Sequence, residues 1–242
     1  MGLLDIFGGG KTPQRAVKLK AKVVQKYGDP VTRQKAIDQL GDMKVPEAVT
    51  SLLARFTITV EPQTTDAEEK ERVFQLVKGF GREAVEPVKV FLRRSDQASS
   101  WAVRILSDLL PEAEVVGAAA DILQALGAEY ARDPEKKLVL LHFLEGKDDA
   151  RVAPAAAPFL HDMSDDVKIA ALKILAPAKY EPAREEVLQL LAGEDTARRV
   201  RTAALAALHE SGFGVQGYRE KVEGLLVEPY HLDREGRVQK RA

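Results

Sequence analysis

Four histidines, His142, His161, His209 and His231, are the obvious candidates for proton transfer or metal ligation, and their spacing suits neither. They fall in separate segments. His209-Glu210 is the one His-Glu dipeptide, and no second histidine follows on its helix face to complete a zinc-binding pair. Surface histidines are the reading that follows. Cysteine is absent, which removes thiolate metal sites, thiol nucleophiles and disulfides. Gly8-Gly9-Gly10-Lys11-Thr12 imitates a phosphate-binding loop, but that motif needs a glycine where Asp5 stands, and no strand precedes it. A flexible tether fits better. No catalytic, cofactor or metal set emerges, so the expectation is a protein that is not an enzyme and carries no cofactor.

Two polar features remain. Arg33, Lys70, Lys137, Lys168 and Arg201 recur near the starts of successive helices, either as a ladder facing an acidic partner or as ion pairs within their own and adjoining turns. Trp101, Arg104 and Asp108 stand three and four residues apart and share a helix face. Trp101 has two readings, an interface anchor or a packing residue between helices.

The elements that position these residues repeat. Asp29, Asp66, Asp96, Asp133, Asp165 and Asp195 are 37, 30, 37, 32 and 30 residues apart, and each precedes an apolar stretch of helical period. Aspartate is a good N-cap for the unpaired amides of a first turn, and Asp29-Pro30 and Asp133-Pro134 sharpen the signal. The helices that follow share one pattern: Ala36-Ile37 with Leu40, Val73-Phe74 with Val77, Ala102-Val103 with Leu106, Leu140-Leu141 with Leu144, Ala171-Leu172 with Leu175, and Ala204-Leu205 with Leu208. Partner helices are expected near residues 46–57, 83–94, 112–126, 150–161, 181–192 and 217–227. Few aromatic residues and much Ala, Leu and Val favour helix packed on helix. The fold class expected is all-α, an α-solenoid of about six antiparallel helix pairs plus a C-terminal capping helix.

Asp165-Asp166-Val167-Lys168-Ile169-Ala170-Ala171-Leu172 resembles the HEAT repeat family, as does Val200-Arg201-Thr202-Ala203-Ala204-Leu205. Asp29 to Leu40 fits more loosely, and the pairs with Phe74 and Leu140 replace the family's alanine layer with bulk. The resemblance spans residues 13–227 and implies a right-handed superhelix. By the same analogy the basic ladder would line a concave face. Among HEAT-like enzymes, the deoxyhypusine hydroxylases are recognised by several His-Glu pairs, which one dipeptide cannot supply. The alkyl-purine DNA glycosylases would place an aromatic and an acidic group at a lesion, an arrangement that Trp101, Arg104 and Asp108 could imitate. Bilin lyases are built of similar repeats, yet nothing here specifies a pigment.

Charge argues against a broad nucleic-acid footprint. Residues 1–35 hold eight Lys or Arg against two Asp, and the remaining residues hold 28 against 35. Residues 1–12 read as an apolar peptide and glycine tether, folded back as a hydrophobic cap or touching a membrane; residues 228–242 read as a polar tail. Membrane contact is expected only through that peptide, since no apolar run approaches the roughly 20 residues of a span. A cytoplasmic location follows. Thr57 to Thr65 is long for a turn inside a helical pair and should project from one rim, or else lie extended across neighbouring helices. The functional expectation is a scaffold or adaptor that binds a protein partner through Trp101, Arg104, Arg33, Lys137, Lys168, Arg201, Ile58 and Val60. Its alternatives are an enzyme of the glycosylase type and a membrane-peripheral assembly factor.

Overall fold

A computed structural model describes residues 12–241. The expected apolar peptide, its tether, and its capping or membrane role fall on residues 1–11 and lie outside the described residues. The chain forms two compact units, Met1–Val115 and Val116–Ala242.

In the first unit, Thr12 accepts a hydrogen bond from the Arg15 amide and Pro13 opens α1 (Pro13–Val23). Asp29 does the same for the Val31 amide at 3.0 Å, starting α2 (Pro30–Gly41). Pro46 opens α3 (Pro46–Leu53), which tightens into a 3-10 turn over Ala54–Thr57. α4 (Gln63–Gly79), α5 (Val85–Arg94) and α6 (Ser99–Leu109) follow. α3 packs on α1 and α5, whereas α4 packs on α2 and α6, so alternate helices form two layers. Cross-layer contacts of α1 with α2, α3 with α4 and α5 with α6 close the apolar interior between them.

The unit boundary falls within α7 (Glu112–Leu126). The second unit continues with α8 (Glu135–Leu144), α9 (Val152–Ala156) and its 3-10 extension Ala157–His161, α10 (Asp165–Leu175), α11 (Arg184–Ala192), α12 (Arg198–Ser211) and α13 (Arg219–Leu225). α10 touches α8 on one side and α12 on the other; α11 touches α12 and α13. Gly212, at φ 73°, takes the left-handed conformation that ends α12.

All eighteen residues of the repeated pattern in α2, α4, α6, α8, α10 and α12 are buried. The helical period therefore selects the core face in every repeat, and each enclosed leucine contributes about 2 kcal/mol. The protein is all-α in its main architecture. No helix among the described residues is long and apolar enough to cross a membrane.

One open choice is decided and one expectation is corrected. The segment after Thr57 takes the second of its two readings and lies along neighbouring helices rather than projecting: Ile58 and Val60 are 9% and 3% exposed, and the Val60 amide donates to Asp66 of α4. Residues 228–241, read from composition as a polar tail, hold an antiparallel hairpin of β1 (Tyr230–Leu232) and β2 (Val238–Lys240), with Tyr230 opposite Lys240. Asp233 organises its turn by accepting the Glu235 and Arg237 amides and the Gln239 side chain. The Arg237 amide leads in holding the Asp233 carboxyl below the usual carboxylate range. β2 packs on α12, where Val238 is buried.

Candidate functional site

The aromatic residues of the first unit converge on α6. Trp101 stacks on Phe56 of the 3-10 turn after α3, with ring centroids 4.7 Å apart, and meets Phe74 of α4 at 6.0 Å. Phe56 and Phe74 are buried, while Trp101 keeps part of its surface exposed. The Arg104 guanidinium lies 3.9 Å from the Phe74 centroid and 5.2 Å from that of Trp101, a cation–π arrangement. Arg104 also reaches Glu71 of α4 at 3.1 Å, and Lys78 of α4 reaches Asp108 of α6 at 2.5 Å. The Gln75 amide, followed by Arg104, holds the Glu71 carboxyl below its ordinary range. A half-exposed indole, a guanidinium fixed over it and a border of ion pairs make a preorganised surface for an apolar or carboxylate-bearing group.

Trp101, Arg104 and Asp108 therefore occupy one region, as their spacing implies. Arg104 and Asp108 do not pair with each other. Each crosses to a carboxylate or ammonium of α4 instead, so both are engaged.

The basic series has a different fate. Arg33 is 2% exposed; its Nε and Nη2 donate to both oxygens of Glu69 at 2.6 and 2.9 Å, and its Nη1 donates to the Gln25 carbonyl. Lys137 is 5% exposed and donates to Asp162 at 2.6 Å and to the Glu129 carbonyl at 2.5 Å. Arg201 donates to the Gly193 and Glu194 carbonyls. Gln25, Glu129 and Gly193 each stand eight residues before their basic partner, just beyond the ends of α1, α7 and α11. The recurring cation thus ties the first turn of one helix to the open carbonyl end of the helix before it, and a positive charge is favoured at that carbonyl end. Lys70 bonds Asp66 at 2.6 Å, and Lys168 lies 3.9 Å from Asp165. Arg33 and Lys137 are buried and ion-paired, which corrects their assignment as binding residues; burial of Ile58 and Val60 corrects theirs.

Arg55 is the residue that sequence reasoning missed. It is 0% exposed inside the apolar run Leu52-Leu53-Ala54-Arg55-Phe56, and a charge in such a run was its only signal. Its Nε donates to Glu69 at 2.8 Å, Nη2 to Asp66 at 2.7 Å and Nη1 to the Ile58 carbonyl at 3.1 Å. Asp66 also accepts the Val60 amide at 3.0 Å. The cluster pins Ile58 to Val60 onto α4. Burial alone would raise both carboxyls, but hydrogen bonds from Lys70 and Arg55 to Asp66, and from Arg33 and Arg55 to Glu69, bring both below their ordinary values.

Among the histidines, His142 and His161 are exposed, and His209 Nδ1 lies 3.2 Å from the Val238 carbonyl. No group of three His, Asp or Glu side chains stands together as potential metal ligands among the described residues. In comparisons with known proteins, the chain matches no family model, no curated protein and no solved structure.

Proposed function

We propose that the chain is a noncatalytic scaffold or adaptor, a HEAT-like right-handed α-solenoid of about six helix pairs acting in the cytoplasm. The motifs around Asp165 and Val200 and the alternating helix layers within each unit support the repeat reading. The binding surface centres on Trp101 and Arg104. One observation carries it: an indole held partly open by Phe56 and Phe74, under a guanidinium fixed by Glu71. Such a surface needs little ordering when a peptide or helix docks, and an aromatic–arginine centre is where binding energy concentrates. A base-handling enzyme would need Arg104 and Asp108 available, and Glu71 and Lys78 already engage them.

Crosslinked partners recovered with the unaltered chain should be lost with Trp101→Ala and with Arg104→Glu, and should return in part with Trp101→Phe. Circular dichroism of each variant checks that the helices persist. Equal recovery by the alanine and glutamate variants would remove this surface from the function.

A further inference from the structure

α1 stands apart from the other helices in its electrostatics. It is buried through Ala16, Leu19 and Val23, and most of its other side chains are exposed among the described residues. Residues 12–28 contain no Asp or Glu. Lys18, Lys20, Lys22 and Lys26 are exposed, Arg15 is half-buried, and Lys35 adds a further exposed cation from α2. None of these six side chains has a carboxylate within ion-pair distance among the described residues, whereas Arg33, Arg55, Lys70, Arg72, Lys78, Arg104 and Lys137 are all paired. Apolar side chains are exposed beside the cations: Tyr27 at 87%, Val17 at 59% and Val31 at 48%. Between α1 and α2 runs a groove of about 160 Å³, with Leu19 and Ala36 in its floor and Lys22, Thr32, Lys35 and Gln39 around it.

We infer that this α1–α2 surface docks the chain on an anionic lipid bilayer, with a phosphodiester headgroup seated between Lys22 and Lys35. Charge complementarity requires a polyanion, and three details select the bilayer. Five of the six cations are lysine, a hydrated point charge suited to a diffuse surface potential, whereas protein interfaces are enriched in arginine and depleted in lysine. A nucleic-acid backbone offers nothing to exposed Val17 and Val31, but the headgroup boundary rewards their burial. An exposed tyrosine beside the lysines is the amphipathic ring that settles at that boundary. The groove has an apolar floor, a hydroxyl, an amide and two ammonium groups, which match a headgroup and its glycerol better than a free phosphate ion. This surface is separate from Trp101, so either assignment can fail without the other.

The test is flotation of the full chain with vesicles of phosphatidylcholine alone and of phosphatidylcholine mixed with phosphatidylglycerol, across a salt series. Binding is expected only with the anionic vesicles, and it should weaken as salt screens the surface charge. Lys18→Ser and Lys22→Ser should each lower partitioning roughly fivefold, while Lys173→Ser and Lys221→Ser, at exposed positions of the second unit, should leave it unchanged. Removing residues 1–11 should preserve the salt-sensitive component. Four results would overturn the proposal: no flotation, equal flotation with neutral vesicles, indifference to the α1 substitutions, or loss of all binding on removal of residues 1–11. Retention by duplex DNA or polyglutamate with no vesicle binding would also overturn it and assign the surface to another polyanion.

Discussion

Arg33 and Lys137 hold the same position in two repeats, and each donates to a carbonyl eight residues earlier, yet their surroundings differ in charge. Lys137 is a point charge and is answered by one carboxylate, that of Asp162. Arg33 is a planar fork that occupies both oxygens of Glu69, and Glu69 then receives Arg55, which in turn holds Asp66. The first arrangement joins two turns with one ion pair. The second also fixes Ile58 to Val60, because Arg55 takes the Ile58 carbonyl and Asp66 takes the Val60 amide. The extra charge belongs with the longer connection: backbone that leaves the helical ladder but stays buried must find partners elsewhere.

Breaking the larger cluster should cost the most. Arg55→Met leaves Glu69 and Asp66 enclosed with one cation fewer, and urea unfolding should show a loss of about 3–5 kcal/mol. A loss below about 1 kcal/mol would mean that water enters the cluster and replaces the guanidinium. Lys137→Met removes one ion pair and one carbonyl contact, for which about 2–3 kcal/mol is expected in the same measurement. The inequality between the two variants is the comparison itself, so equal losses would erase it.

Acid should open the clusters more gently. Asp66 and Glu69 titrate below their ordinary values in the folded chain, so their ionised forms stabilise the fold above the unfolded values of about 4. That contribution disappears as pH falls through the folded values. Hydrogen exchange at the Val60 amide, corrected for the intrinsic effect of pH, should therefore lose protection on acidification before the amides within α10 do. Simultaneous loss would show that the segment does not open independently.

The helix faces were legible in the sequence because helical period is a local property. Ala36, Ile37 and Leu40, and their counterparts through Leu208, needed no knowledge of the neighbouring repeat. The six aspartates were less informative. Asp29 and Asp133 accept amides two residues on, and they are the two that precede proline. Asp66 and Asp165 instead bind cations, from Arg55 and Lys70 in one case and Arg199 in the other. Capping and ion pairing demand the same side chain, and partners 11 and 34 residues distant decide between them. The aromatic site was legible in part: the spacing of Trp101 and Arg104 placed them together, but Phe56 and Phe74 come from other helices. The hairpin was obscured because Asp233 to Arg237 reads as charged composition, while its order comes from one carboxylate gathering two amides.

β2 meets α12 through Val238, and α12 packs on α10. The hairpin covers that flank of α12 with a strand of three residues that ends on Lys240, a length and a charge that make it a poor template for pairing with another strand.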